Sequence, residues 1–296
     1  MAAASQKAPL RYPVRYRLEA LAARLMFALL RLLPTRGASD FGGWLGRTVG
    51  PRTSAHGVAA RNMAAALPEA AAAQRDAWLL EAWDNFGRTM VEYAILGRLD
   101  RNHENRVEVE GVEHLAAVPA HKPVILFCAH LANWEVIPLA LSGLTKPLTI
   151  VYRAANNPLV DGLIAEARAP YTAAMLAKGV MGARQIVRAL KDAAHVIMVV
   201  DQKLNTGLDV PFFGRPAFTS PAVVSLAMRY GCPVFPVRTE RLPEGRYKVS
   251  LEAPFTFAAG DDIAVRAALT EVNRRLEDWI RRKPGQWLWM HRRWPN

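Results

Sequence analysis

The chain has 296 residues, 51% of them hydrophobic, and its 38 lysines and arginines outnumber 26 aspartates and glutamates for a net charge of +12. That length buries a sizeable core as one large domain, or as a catalytic domain with a helical extension, and the basic excess draws anionic partners: nucleic acid, an acidic protein or a phospholipid surface. Two cysteines, Cys128 and Cys232, stand in apolar, strand-like contexts and exclude a disulfide framework, and no Cys/His cluster has zinc-ligand spacing.

In chain order, residues 16–33 form an apolar stretch interrupted by Arg17, Arg24 and Arg31, which recur every seven residues and so share one helical face. Leu18, Leu21, Leu25, Leu29 and Leu32 occupy other faces. A spanning helix needs about 20 apolar residues and resists central arginine, so the pattern predicts an amphipathic helix lying in a membrane interface, with Arg11, Arg15 and Arg17 as a basic flank. Its competitor is an ordinary helix packed on its own domain. Leu79, Trp83, Phe86, Met90 and Ala94 make an i, i+3/i+4 stripe that predicts an amphipathic helix over 72–97.

The period then changes to that of strands: 107–110, 123–129, 148–152, 196–200, 234–238 and 246–251. Pro236 argues for an edge position or a strand end. Helices fall between them, one opening at the Asn157 cap with Pro158 behind it, one over 183–194, one from Ser220-Pro221 to Tyr230 with Gly231 as cap, and a last over 261–282. The pattern predicts an α/β fold, a single mixed or mostly parallel sheet flanked by helices, divided as an N-terminal helical extension (1–104) and a catalytic domain (105–296).

The most informative local feature is the step from His130 to Glu135, directly after the apolar run Val124-Ile125-Leu126-Phe127. Open α/β sheets place their chemistry past the carboxyl ends of such strands. A carboxylate that takes the proton of one imidazole nitrogen leaves the other free as a base. The alternative is a loop histidine beside an unrelated glutamate. A G-x-S-x-G elbow, a phosphate-cradling loop and a dinucleotide fingerprint are absent, and no third partner makes Cys128 and His130 a thiol enzyme. What remains is a base that activates an external hydroxyl or water. Asp201-Gln202 ends a strand on the same side of the sheet, if the two strands run parallel, and either orients a polar substrate group or makes a turn. Phe212-Phe213-Gly214 reads as a loop that lines an acyl channel or joins the core. The C-terminal Arg281-Arg282-Lys283 and Arg292-Arg293, interleaved with Trp287, Trp289 and Trp294, suit single-stranded nucleic acid or a membrane interface.

Ala129-His130-Leu131-Ala132-Asn133-Trp134-Glu135 resembles the H-x-x-N-W-E block of the late acyltransferases of lipid A biosynthesis. Further blocks match in the same order: Tyr152-Arg153, Asn157-Pro158 and Arg168; Asp201-Gln202 with Val210 to Pro216; Pro233 to Val237; and Pro284 to Trp294. Arg61-Asn62 with Leu67-Pro68-Glu69 resembles the family's N-terminal element. The resemblance covers about residues 10–296, and Glu135 in place of the aspartate usual in glycerolipid acyltransferases leans toward the lipid A branch.

The resemblance implies transfer of a fatty acyl chain from the phosphopantetheine thioester of acyl carrier protein to a hydroxyl of a lipid A precursor, with no other cofactor and no metal. It implies His130 as general base, Glu135 as the acid that fixes its tautomer, and Arg168 at the oxyanion, against a competing reading of Arg168 as an exposed helix-end arginine. Asn133, Arg153, Asp201, Gln202, Phe213, Gly214 and Arg215 are the expected substrate-binding residues, although Asn133 equally suits a plain helix cap. The expected partners are acyl carrier protein, the lipid A precursor and an anionic membrane surface, not nucleic acid, with a monomer at the cytoplasmic face of a bacterial inner membrane. The alternatives are another lipid acceptor, such as a glycerolipid or a phosphatidylinositol mannoside, hydrolysis by the same base acting on water, or a basic membrane- or nucleic-acid-binding protein without catalysis.

Overall fold

The structure, a computed structural model, describes residues 12–99 and 106–295. Arg11 and the division at 104/105 lie outside the described residues.

Four helices come first: α1 (Val14–Arg31), α2 (Thr35–Val49), α3 (Ser54–Ala66) and α4 (Ala72–Glu92). The α4 helix stops short of residue 97 because the chain tightens to a 3₁₀ segment over Tyr93–Leu99, where Ile95 leaves helical geometry. Seven strands form one sheet: β1 (Val107–Glu110), β2 (Val124–Cys128), β3 (Leu148–Tyr152), β4 (Thr172–Ala177), β5 (His195–Val199), β8 (Val234–Arg241) and β9 (Tyr247–Leu251). Their order is β1-β9-β8-β2-β5-β3-β4, parallel throughout except where β9 runs against β8. A separate hairpin joins β6 (Leu208–Phe212) to β7 (Arg215–Thr219). Helices α5 (Val112–Ala116), α6 (Val136–Leu141), α7 (Pro158–Arg168), α8 (Val180–Lys191), α9 (Ala222–Tyr230) and α10 (Asp262–Arg282) fall between or after the strands. This is the mixed, mostly parallel sheet flanked by helices that the sequence predicts.

Covering both faces explains the unbroken apolar runs of the strands. Ile125 and Phe127 of β2 point into one cluster with Met198, Trp279 and Trp287, while Val124, Leu126 and Cys128 point into another with Ile197 and the α6 residues Val136 to Leu141. The first cluster also takes Met63 of α3 and Leu79 and Ala82 of α4, so the N-terminal helices share a core with the sheet.

Several expectations are corrected. Strand β8 is interior, between β9 and β2, not at an edge. Pro236 is tolerated because β8 pairs with β2 through residues 234–236 and with β9 from Val237 onward, so the missing N–H falls where one ladder gives way to the other. Strand β4 escapes the sequence because its Ala-rich run is half exposed at the sheet edge. The segment read as a loop at Phe212-Phe213-Gly214 is the turn of the β6–β7 hairpin, with Phe213 and Gly214 both at positive φ (52° and 66°), as a two-residue loop that matches strand twist requires. The tryptophans of the C-terminal tail are no interfacial belt: Trp287, Trp289 and Trp294 are buried, packed edge-on to one another or against Phe212 and Phe213.

Helices α2 and α4 cross so closely that Gly42 and Gly46 meet Gly87, where an added Cβ would overlap the Gly42 carbonyl oxygen. Gly87→Ala is expected to force the pair apart and cost about 1–3 kcal/mol, the usual range for overpacking, read as a lower thermal unfolding midpoint.

Candidate active site

The turn after β2 brings the site together. Because β2 and β5 are parallel neighbours in register, with Cys128 opposite Val199, the residues that follow each strand emerge side by side. His130 therefore meets Asp201: the imidazole Nδ1 lies 2.7 Å from Asp201 Oδ1, and the His130 backbone N–H donates to Asp201 Oδ2 at 2.8 Å. Trp287 donates its indole N–H to the same Oδ2 at 2.7 Å. Asp201 is fully buried. Burial alone would raise its carboxyl pKa, but the charge and hydrogen bond of His130, with the charge of His291 and the Trp287 bond, hold it far below the ordinary value. An ionised carboxylate only accepts, so Nδ1 carries a proton, and in the neutral ring the free lone pair is the one on Nε2. Nε2 lies 3.5 Å from the Gln202 amide nitrogen, and the Trp134 ring stands edge-on to the imidazole at 4.7 Å.

Glu135 does not serve His130. Its carboxylate binds Arg168 through both oxygens, accepting from Nε at 2.7 Å and Nη2 at 2.5 Å, and accepts from the Tyr93 hydroxyl at 2.6 Å. The sequence pairing of His130 with Glu135 is thus replaced by two separate pairs. The reason is geometric: Glu135 leads into α6 and turns toward α7, whereas Asp201 comes from the neighbouring strand. Arg168 is buried, not an exposed helix-end residue; burial disfavours its charge, but Glu135 outweighs that and raises its pKa. Its Nη1 has no hydrogen-bond partner among the described residues.

His130, Glu135 and Arg168 line one cavity of about 270 Å³, while Asp201 is buried outside its lining. Its wall is apolar on the side of Ile150, Val151, Ile164, Ile197 and Val199, and carries Arg153, Lys178 and Gln202 elsewhere. Lys178 is pulled below its ordinary pKa by burial, against the opposing charge of Asp201. Cys128 also lines the cavity, but burial and then the charges of Asp201 and Glu135 push its thiol well up, so it is not a thiolate.

Asn133 is buried away from the cavity lining. Its Oδ1 accepts from Glu135 N at 3.0 Å and its amide donates to Glu92 Oε2 at 2.8 Å. Glu92 in turn accepts from Ser39, Tyr247 and Arg241, and Asn85 and Thr89 donate to the carbonyl of Ala132, a non-glycine residue held at φ 50°. The Ala132 N–H donates to Gln286 O, and Leu288 N–H to His130 O, so the C-terminal tail clamps the same turn. Pro138 fits the first turn of α6, where its nitrogen needs no partner. Phe213, Gly214 and Arg215 sit in the hairpin and do not line the cavity.

Tyr93, Lys178 and the Asn85–Thr89–Glu92 set escaped the sequence reading. A signal existed for the last, since polar residues at 85, 89 and 92 keep helical spacing on one face of α4; of the predicted apolar stripe, Leu79, Trp83 and Ala94 are buried and Phe86 and Met90 half-buried.

The family described as "Bacterial lipid A biosynthesis acyltransferase" matches residues 4–296, and the chain belongs to it. It is 28% identical to the lipid A biosynthesis lauroyltransferase of Escherichia coli (strain K12) over 79% of this chain and 76% of that one. It is 25% identical to the lipid A biosynthesis palmitoleoyltransferase of the same strain, over 80% of this chain and 77% of the other. The crystal structure of the 1-acyl-sn-glycerophosphate (LPA) acyltransferase PlsC from Thermotoga maritima aligns over 95% of this chain and 100% of that one at 15% identity and a TM-score of 0.39.

Burial raises the pKa of Glu92, but Arg241 and the hydrogen bonds outweigh it and depress it from 4.5 to about 2. A depressed carboxyl stabilises the fold fully above its unfolded value and loses that contribution as pH falls. Stability is therefore expected to drop between about pH 4.5 and 2, and Glu92→Gln to flatten that slope. Arg241→Met, which strands a buried carboxylate, is expected to cost about 3–5 kcal/mol at neutral pH in a denaturant titration.

Proposed function

We propose that this lipid A acyltransferase family member moves a fatty acyl group from the thioester of acyl carrier protein to a hydroxyl of a lipid A precursor, with His130 as general base and no cofactor beyond the carrier's phosphopantetheine. The observation that carries this reading is the His130–Asp201 pair, which commits Nδ1 and leaves Nε2 basic at a cavity with an apolar wall. His130 Nε2 takes the proton of the acceptor hydroxyl as its oxygen bonds to the thioester carbonyl carbon. The tetrahedral intermediate then expels the carrier thiolate, which recovers that proton from the imidazolium. Asp201 holds the ring and stabilises its charge meanwhile, as the triad acid does for its histidine. Arg168 is the proposed oxyanion donor: Glu135 and Tyr93 fix its plane while Nη1 is left without a partner among the described residues. Arg153 and Gln202 are the proposed contacts to polar parts of the substrates, and the Ile150–Ile164 side is the acyl wall.

The proposed site of action is the cytoplasmic face of a bacterial inner membrane. Among the described residues no helix is long and apolar enough to cross a membrane. Of α1, only Ala20 and Leu30 are buried, while Leu18, Leu21, Leu25, Leu29 and Leu32 are 54–80% exposed. Those leucines fall on one stripe with Arg17, Arg24 and Arg31 along its flank, the layout of a helix seated at headgroup depth. The inner side of α1 is tied to α7 by Asn157, which donates to Tyr16 O and Glu19 Oε2, and α7 carries Arg168. A bilayer at α1 would therefore sit beside the cavity.

The test is transfer of a labelled acyl chain from acyl carrier protein to a disaccharide lipid A precursor. His130→Ala is expected to lower kcat by roughly 10²–10⁴, the usual value of a general base. Asp201→Asn is expected to fall into the same range, whereas Glu135→Gln and Arg168→Gln should resemble each other. A folded wild-type protein inactive on every such acceptor, or a fully active His130→Ala, overturns the reading. Separately, Leu21→Asp with Leu25→Asp is expected to weaken co-sedimentation with anionic vesicles while leaving the unfolding midpoint unchanged.

A further inference from the structure

Three motif arginines take no part in the His130 cavity, yet they converge elsewhere. Arg61 from α3, Arg215 at the start of β7 and Arg292 from the C-terminal tail line a second cavity of about 400 Å³, with Asn62 and Trp294. Among the described residues no acidic side chain lines it, and none of the three arginines forms an ion pair. By contrast, Arg88, Arg168 and Arg241, which pack closely, are each paired with a carboxylate. We propose that Arg61, Arg215 and Arg292 form a second binding site, separate from the His130 cavity, for a phosphate-bearing ligand.

The geometry of the surrounding groups is built rather than incidental. Trp294 is buried and anchored by its indole N–H to Phe212 O at 3.0 Å. The Arg215 guanidinium stacks on that ring at 5.0 Å from the centroid. A stacked guanidinium keeps its N–H edge in the ring-parallel plane, free for an oxyanion. Asn62, itself buried, donates to Trp289 O at 2.9 Å and His291 O at 2.8 Å, which fixes the tail just before Arg292. Next to Arg292, Arg293 is fully buried without a carboxylate partner among the described residues; its Nη1 donates to Phe218 O and its Nη2 to Thr219 Oγ1. Its charge adds to the positive potential in this part of the molecule.

A concave volume ringed by guanidiniums suits a compact, multiply charged tetrahedral oxyanion, which several forks can grip at once. An acidic protein surface would instead engage arginines spread over an open face. The phosphate group can come from a lipid headgroup or from a soluble phosphate or diphosphate.

The full-length protein in detergent is titrated calorimetrically at low ionic strength with inorganic pyrophosphate and, in parallel, with short-chain phosphatidic acid below its micelle concentration. Binding is expected for at least one probe, and the tighter one identifies the source. Arg61→Gln with Arg292→Gln, both exposed positions, should weaken it by roughly tenfold to hundredfold, as loss of charge-assisted hydrogen bonds does, with the unfolding midpoint unchanged. Arg153→Gln with Lys178→Gln, in the other cavity, should leave it intact. The proposal is overturned if neither probe binds, if the Arg61/Arg292 pair binds like wild type, or if the Arg153/Lys178 pair loses binding as much. It is also overturned if a glutamate-rich peptide of matched charge binds as tightly and with the same sensitivity to the Arg61/Arg292 pair.

Discussion

A fully buried carboxylate is tolerable only when its oxygens are satisfied, and Asp201 takes its donors from three places: the His130 ring, the His130 backbone and the Trp287 indole. That requirement ties together the end of β5, the turn after β2 and the C-terminal tail. Once those three are locked, the imidazole has one orientation and one tautomer. The remaining parts of the site are arranged around that fixed ring.

A second buried charge, Glu92 with Arg241, does for the turn what Asp201 does for the ring. It sits under Asn133 and Ala132 and reaches across α2, α4, β8 and β9. Neither residue touches the cavity. Their effect is to let Ala132 hold a left-handed backbone conformation that a non-glycine residue otherwise avoids. The N-terminal helices are thus part of the site's foundation, and α1 turns a leucine face outward.

The same tail residues that look interfacial in sequence serve inward roles. Trp287 holds Asp201, Trp289 donates to Pro284 O and Trp294 supports Arg215. Aromatic rings with one polar edge close a core around buried acceptors as readily as they sit at headgroups, and composition does not separate the two uses. Burying them leaves Arg292 and Arg215 at the rim of a second cavity, so two positively lined cavities lie on one chain.

Local pattern was enough for the buried strands β2, β3, β5 and β8, because burial on both faces demands unbroken apolar runs, and for α7, because the Asn157 side chain caps it and Pro158 starts it. It also placed His130, Glu135, Arg168, Arg153 and Gln202, all of which line one cavity, since each follows a recognisable strand or helix signal or a family block. It could not decide which carboxylate serves His130. Spacing along the chain favours Glu135, five residues away, but the partner is set by the neighbour strand, and β2 lies beside β5. Nor could it place Tyr93, Lys178 and Glu92, or send Phe213 to Arg215 away from the cavity, because these depend on how α4, β4 and the hairpin dock. Sequence determined which groups were available for chemistry; strand adjacency and the need to satisfy buried charge decided which of them meet.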